Sequence, residues 1–245
     1  MKLECWGQSD RGRVRENNED RWFADARAGL AIVADGMGGA ACGEIASSLC
    51  IETIPAYYRQ TKDQQDFEGS IKQAIRLANL RVFETARSMN GCHGMGSTVV
   101  SAVFELPRVM IASVGDSRAY LWRGGVLTQL STDQTVAVDL REKLGFSEEQ
   151  IAAFANRNVL TMAMGLTEEV LIMTRETILA VDDEILLCSD GLWGPVPQDQ
   201  IAAIMSQAQS LKEKSNRLVR SALEAGGPDN VTVVLSRVCD GKDTA

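Results

Sequence analysis

Apolar runs bounded by glycine, proline and polar residues predict that much of the chain forms short strands. Runs of about four to eight apolar or β-branched residues between such breaks are typical of strands. The Gly-Gly pair at 124–125 separates two of these runs and predicts a hairpin. Strands are predicted at residues 3–7, around 22–23, and at 30–35, 97–106, 109–114, 119–122, 126–130, 170–178, 184–188 and 231–238.

Apolar residues at three- and four-residue spacing predict helices between these groups of strands. Residues 43–59 follow this spacing, and Pro55 is expected to kink or end that helix. Residues 67–86 carry a continuous apolar stripe typical of a helix face packed against a core. Capping boxes, in which a serine is followed three residues later by Gln or Glu, open two more predicted helices at 147–154 and 210–225.

The order of these elements predicts an α+β fold. Strands, paired helices, strands, helices and a last strand succeed one another, which favours layered packing over a doubly wound parallel sheet. The strand pattern lapses over residues 131–165, and we interpret this insert as a mobile flap beside the site. No linker divides the chain, so we expect one catalytic domain at 1–240 and a short tail at 241–245.

Composition and charge narrow the possible functions. The 245 residues are 45% hydrophobic, enough for a full core, and the net charge of −8 argues against nucleic acid as a partner. The sequence contains neither the apolar core of a signal peptide nor an apolar run long enough to span a membrane. We therefore expect a cytoplasmic protein without membrane contact. The six cysteines form no Cys-x-x-Cys pair, so we expect reduced, buried thiols and no zinc site.

Aspartates beside strand ends are the main candidate chemistry. Asp35 follows an apolar strand and precedes a glycine-rich turn, which alone would indicate only an ordinary strand-to-turn junction. The same pattern recurs at Asp190, more weakly at Asp116, and before a strand at Asp229. Two unit charges about 4 Å apart repel by roughly 4 kcal/mol at a dielectric near 20, so a converging cluster requires protons or cations. We favour cations.

The polar loop at residues 9–20 offers a second group of candidates. A solvated turn is the simplest interpretation, because charge runs usually face water. The alternative assigns Arg15 to a phosphate, since a guanidinium matches two phosphate oxygens at once. Glu19 and Asp20 would then add oxygen ligands to the aspartate cluster.

Six segments together resemble the metal-dependent protein phosphatases of the protein phosphatase 2C type, particularly the compact bacterial members. Each segment alone is a weak signal, but six in the family's order are highly specific. They are residues 12–20, 33–39, 96–98, 114–118, 188–192 and 227–232, which read GRVRENNED, VADGMGG, GST, VGDSR, CSDGL and GPDNVT. The resemblance implies a β-sandwich of two antiparallel sheets flanked by pairs of helices.

The resemblance also implies a set of metal ligands. Asp35 would bridge two tightly bound ions, and a third, weaker ion is implied in addition. Asp190 and Asp229 would complete the protein ligands of the first ion. Asp20 and the Gly36 carbonyl would complete those of the second, and Glu19 would join through water. Asp116 and Asp190 would hold the third ion. Carboxylate and carbonyl oxygens select Mn²⁺ or Mg²⁺ over softer metals.

The implied activity is hydrolysis of phosphoserine and phosphothreonine in proteins by metal-activated water. Arg15, Asp35 and Asp190 would be the catalytic residues, with Arg15 binding the substrate phosphate. The implied partners are phosphorylated proteins and a cognate serine/threonine kinase, in bacterial signalling, and we expect a monomer. Two alternatives remain open at this point: a pseudophosphatase that binds phosphoproteins, and a phosphatase of the same fold that acts on a sigma-factor regulator.

Three departures from the family pattern concern proton donors and the flap. Ala40 and Gln134 stand where bacterial members often have histidine. The flap sequence at 161–165, TMAMG, replaces a commonly more polar one. The single histidine, His93, lies in a glycine-rich loop and is interpreted as an exposed bystander.

Overall fold

Two antiparallel sheets form the centre of the protein. The computed structural model describes residues 1–38, 42–62 and 66–241. The strands are β1 (Lys2–Asp10), β2 (Asp20–Asp25), β3 (Leu30–Met37), β4 (Gly96–Ser97), β5 (Val99–Glu105), β6 (Arg108–Val114), β7 (Arg118–Arg123), β8 (Val126–Gln129), β9 (Met173–Ile178), β10 (Glu184–Cys188) and β11 (Val231–Cys239). One sheet has the order β1-β11-β10-β7-β8, and the other has the order β2-β3-β5-β6-β9, with β4 paired to β3.

Helices cover the outer face of each sheet, so the layers follow the order helix, sheet, sheet, helix. The helices are α1 (Cys42–Thr61), α2 (Phe67–Ser88), α3 (Val136–Leu144), α4 (Glu148–Ala152), α5 (Asp190–Trp193), α6 (Gln198–Met205) and α7 (Leu211–Glu224). The apolar faces of α1 and α2 pack on the β2-to-β9 sheet, and those of α6 and α7 pack on the other sheet. The predicted α+β sandwich flanked by helix pairs is therefore confirmed.

A third apolar cluster fills the space between the sheets. Val33 and Val100 of one sheet pack with Leu187 and Val234 of the other, and all four are completely buried. Strands buried on both faces lose the alternation of apolar and polar residues, which explains why several read as continuous apolar runs. This packing fixes the relative position of the strand ends that carry the predicted site.

The structure corrects several predicted elements. Pro55 lies inside α1 and is buried, so the helix neither ends nor breaks there. Packing on α2 and the sheet outweighs the hydrogen bond that proline cannot donate. The predictions missed α3 within the flap and both α5 and α6 after β10, because these helices are short. The capping boxes at Ser147 and Ser210 are confirmed.

The prediction of six reduced cysteines is wrong for one pair. Cys42, at the start of α1, forms a disulfide with Cys92, with 2.11 Å between the sulfur atoms. Fifty positions separate the two in sequence, so only the tertiary structure brings them together. The four other cysteines are free thiols, and Cys50 and Cys188 are buried as expected.

Three predicted features fall partly or wholly outside the described ranges. They are the glycine-rich turn at Gly39 and Ala40, part of the stretch at 60–66 between the first two predicted helices, and residues 242–245 of the tail. Within the described ranges, no helix combines the length and the apolar character needed to cross a membrane.

Candidate functional site

The register of β2 and β3 brings the first two predicted ligands together. Asp20 is the first residue of β2 and pairs directly with Asp35 of β3. Asp20 is almost fully buried, and its Oδ2 accepts a 2.7 Å hydrogen bond from the Ser189 hydroxyl. Gly36 follows Asp35, and a Cβ atom there would lie 2.0 Å from the Gly43 carbonyl oxygen. Glycine is therefore required where the end of β3 passes the start of α1.

The antiparallel pair β10 and β11 supplies a second pair of aspartates. Asp190 is the first residue of α5, directly after β10, and Asp229 lies two residues before β11. Because Cys188 pairs with Val233, the end of β10 and the start of β11 lie at the same edge of the sheet. The two aspartates thus meet at one end of the sandwich, although 38 residues separate them.

Asp116 joins the cluster from the turn between β6 and β7. Its carbonyl oxygen accepts a 3.1 Å hydrogen bond from the Trp193 indole, and its side chain is buried. Gly115 before it has a φ of +94°, and a Cβ atom there would lie 2.7 Å from Thr98. Positive φ and close approach together require glycine at this position.

The pKa values of these carboxyl groups reflect burial together with mutual repulsion. Burial, and then the negative charges of Asp20, Asp190, Asp116 and Asp229, raise the pKa of Asp35 well above its usual range. Burial likewise raises the pKa of Asp20 and that of Asp116 to about 7. Such groups hold protons unless a cation compensates their charge. The cluster therefore has the electrostatics of a cation site.

The cluster borders a cavity of about 430 Å³. Seven of the eight predicted site residues line it: Arg15, Glu19, Asp35, Gly36, Asp116, Asp190 and Asp229. The eighth, Asp20, is buried and neighbours Asp35 in the sheet register. Asn158 and Leu160 of the flap also border the cavity, so the insert does lie beside the site.

The side chains as they stand engage protein partners. Arg15 Nη2 lies 2.6 Å from Asp229 Oδ2, and Glu19 accepts a hydrogen bond from the Gly43 main chain. Among the described residues, no three carboxyl, thiol or imidazole groups converge closely enough to enclose an ion. In the same ranges, Oδ1 of Asp20 and Oδ1 of Asp190 are buried and have no hydrogen-bond partner. The donor set fits hard divalent cations, and Asp229 would have to leave Arg15 to take part.

Sequence reasoning missed two residues that hold the site together. The Ser189 hydroxyl contacts Asp20 and also accepts a 3.0 Å hydrogen bond from the Thr232 main chain, which links β10 and β11 to β2. The Asn230 amide accepts from the Glu19 main chain and donates to the Asn17 carbonyl, each at 2.8 Å. Both residues adjoin a predicted aspartate, and their position in the Ser-Asp-Gly and Pro-Asp-Asn segments was the available signal.

Neither Gln134, which stands where bacterial members often have histidine, nor His93 lines the cavity. Gln134 is buried and absent from the cavity lining, and its side chain bonds main-chain groups of Gly115 and Leu171. A histidine there would not face the cavity in this arrangement, so Gln134 does not replace a proton donor. His93 is exposed and also absent from the lining, as its interpretation as a bystander requires.

The sequence model of a known family spans nearly all of this arrangement. The family described as protein phosphatase 2C matches residues 8–230, which include all the predicted site residues. The chain belongs to the protein phosphatase 2C family. The prediction drawn from the six segments is therefore confirmed.

Relatives and solved structures in this family agree with that assignment. The chain is 33% identical over 234 residues to the serine/threonine phosphatase stp of Listeria monocytogenes, covering 93% of both chains. It is 37% identical over 241 residues to the serine/threonine protein phosphatase PstP of Mycobacterium tuberculosis, covering 98% of this chain and 46% of PstP.

Solved structures of PstP superpose on nearly the whole chain. The crystal structure of Mycobacterium tuberculosis PstP/Ppp matches with a TM-score of 0.90 at 34% identity, covering 98% of this chain and all of that one. The PstP catalytic domain in complex with two manganese ions matches with a TM-score of 0.84 at 35% identity, covering 98% and 99%.

Proposed function

We propose that this protein phosphatase 2C member hydrolyses phosphoserine and phosphothreonine in proteins, with Mn²⁺ or Mg²⁺ as cofactor. The observation that carries the proposal is the convergence of four aspartates from separate segments on one cavity that Arg15 also lines, with a fifth, Asp20, buried beside Asp35. The manganese complex of PstP, whose fold this chain shares, supports the choice of metal. Hard oxygen donors with unpartnered buried atoms fit such ions.

We assign the ligands as the family resemblance implies. Asp35 would be shared by the two tightly bound ions, in keeping with its place among the other aspartates of the cluster. Asp190 and Asp229 complete one ion's protein ligands, and Asp20 with the Gly36 carbonyl completes the other's. Glu19 contributes through water. Asp116, with Asp190, holds a third and weaker ion.

The protein's own groups bind and orient the substrate. When bound, the ions acidify water and offset the charge of the transferring phosphoryl group. Arg15 is exposed at the mouth of the cavity and presents its guanidinium to the phosphate oxygens, once it has exchanged Asp229 for that ligand. Ser189 keeps the Asp20 carboxylate in place throughout. Asn158 and Leu160 of the flap form part of the cavity lining.

The cellular role follows from this chemistry. We propose that the protein acts in the cytoplasm of a bacterium as a monomer and opposes a serine/threonine kinase, with phosphorylated proteins as substrates. A phosphatase acting on a sigma-factor regulator would use the same site and differ only in its partner. A pseudophosphatase is disfavoured, because a costly cluster of like charges serves no purpose without ions.

Hydrolysis of p-nitrophenyl phosphate and of a phosphoserine peptide tests the proposal. Protein freed of metal by a chelator should be inactive, and added Mn²⁺ should restore turnover of both substrates. Binding of the phosphopeptide without manganese-dependent turnover would instead support the pseudophosphatase.

A further inference from the structure

Gln134, near the start of the flap, occupies a junction of three segments. It is buried in the turn between β8 and α3. Its main-chain N–H donates a 2.9 Å hydrogen bond to the Gly115 carbonyl, and its carbonyl accepts a 2.8 Å bond from Thr161 within the flap. The main chain of one residue thus joins the Asp116 turn to both arms of the flap.

The side chain of Gln134 adds two further bonds. Its Oε1 accepts a 2.7 Å hydrogen bond from the Gly115 N–H, and its Nε2 donates a 2.9 Å bond to the carbonyl of Leu171. Both polar atoms of the amide thus have partners: the oxygen is bonded to the turn before Asp116, and the nitrogen to the chain that returns from the flap to β9. A buried N–H or C=O that is left unpaired keeps its full desolvation penalty, so both contacts are substantial constraints.

The Gly115 contact bears directly on Asp116. Gly115 has a positive φ and packs against Thr98, so its main chain has little freedom once its N–H and carbonyl are both held by Gln134. On the other side, the Trp193 indole holds the Asp116 carbonyl. Gln134 and Trp193 therefore clamp the turn that aims the Asp116 carboxyl group at the cavity.

We propose that Gln134 is a positioning residue that couples the order of the flap to ion binding at Asp116. The inference rests on the proposed function, in which Asp116 holds the weak third ion. Coupling between two sites is reciprocal: an ordered flap strengthens ion binding at Asp116, and an ion at Asp116 orders the flap. The amide of Gln134 transmits both effects, since it contacts the two segments at once.

The test compares substitutions of Gln134 with a matched substitution elsewhere. Gln134→Met keeps the length of the side chain and removes both hydrogen bonds. Gln134→His retains one ring nitrogen that accepts and one that donates. The control is Gln200→Met on α6, which removes a 2.8 Å side-chain bond to Ser221 on the far face of the other sheet.

Three measurements on each variant do not depend on turnover. Calorimetric titration with Mn²⁺ separates the tight pair of ions from the weak one. Hydrogen exchange read by mass spectrometry follows the flap and the Gly115–Asp116 turn, with and without saturating Mn²⁺. Thermal melting records any general loss of stability.

In Gln134→Met, we expect the tight pair to bind as in the wild type and the weak ion to require roughly tenfold more Mn²⁺, the effect of losing about one buried hydrogen bond. Exchange in the flap should quicken several-fold, and Mn²⁺ should no longer slow it as it does in the wild type. Gln134→His should recover most of both properties, and Gln200→Met should match the wild type.

Two results would overturn the coupling. One is a Gln134→Met protein whose weak ion binds as in the wild type, whether or not the flap loosens. The other is a flap whose exchange still responds to Mn²⁺ in that variant as in the wild type. Asp116→Ala separates this failure from failure of the proposed function. If Asp116→Ala leaves the weak ion bound, the ligand assignment falls; if it abolishes that ion and Gln134→Met does not weaken it, only the positioning role falls.

Discussion

Arg15 and Asp229, the predicted phosphate-binding residue and a predicted metal ligand, are paired with each other, with 2.6 Å between Nη2 and Oδ2. The Arg15 side chain is 54% exposed and that of Asp229 is 31% exposed, so water screens the ion pair and it contributes little to stability. The same contact raises the pKa of Arg15 further. A pair this weak can be exchanged, with the carboxylate passing to an ion and the guanidinium to a phosphate.

Removing single charges from the cluster should abolish turnover and leave the fold intact. Asp35→Asn, Asp190→Asn and Asp229→Asn should each lower kcat by about 10²-fold or more, because each removes a ligand charge and preserves volume. Steady-state kinetics with saturating Mn²⁺ and circular dichroism check both parts. Asp199→Asn, on the exposed side of α6, is the control. Wild-type turnover in any of the three variants would refute that ligand.

Arg15→Ala should act on phosphate binding. We expect a higher KM for a phosphopeptide and a smaller loss of kcat, as for a contact that is equal in the ground and transition states. Since the substitution also frees Asp229, calorimetry should show Mn²⁺ binding that is unchanged or tighter. An unchanged KM would remove Arg15 from the substrate site, and weaker Mn²⁺ binding would contradict the exchange of partners.

Asp116→Ala should distinguish substrates by their leaving groups. A phosphoserine alkoxide needs a proton donor, which is typically worth 10²- to 10⁴-fold, whereas p-nitrophenolate needs little help. Gln134 and His93 do not line the cavity, and we take the Asp116 site as the candidate source of the proton. We expect Asp116→Ala to slow a phosphoserine peptide far more than p-nitrophenyl phosphate, while His93→Ala changes neither rate. Equal slowing of both substrates would leave Asp116 without a part in leaving-group protonation.

The metal-free protein should lose stability as the pH rises. The pKa of Asp20 is about 7 in the fold against an ordinary value of 3.8, because burial penalises its charge. Between these values the folded state holds a proton that the unfolded state has released, so the stabilisation present below pH 3.8 is lost as the pH rises through about 7.

Melting curves in chelator across that pH range check this expectation. The melting temperature should fall with rising pH, and saturating Mn²⁺ should remove most of the decline. Asp20→Asn, which cannot ionise, should make the chelated protein less sensitive to pH. A melting temperature of the chelated wild type that rises through neutral pH would contradict the electrostatic description of the cluster.

Local patterns in the sequence were sufficient for the strands, the long helices and the candidate aspartates. The apolar stripe within residues 67–86 consists of residues that α2 buries. Ser147 and Ser210 form the capping boxes that the sequence spacing indicates. Asp35 lies near the end of β3 and Asp190 shortly after β10, because a buried strand leaves its polar residues at or beyond its end. These features depend on neighbours within a few positions, which is the range over which sequence patterns are informative.

The tertiary structure alone decided which partners these residues have. The pairing of Arg15 with Asp229, the clamp of Gln134 on Gly115 and the bond from Ser189 to Asp20 each join residues from separate segments. Pro55 within α1 and the Cys42–Cys92 disulfide are explained in the same way. Packing energies and hydrogen bonds between distant segments outweigh local propensity, and they depend on a geometry that exists only once both sheets have closed over their common core.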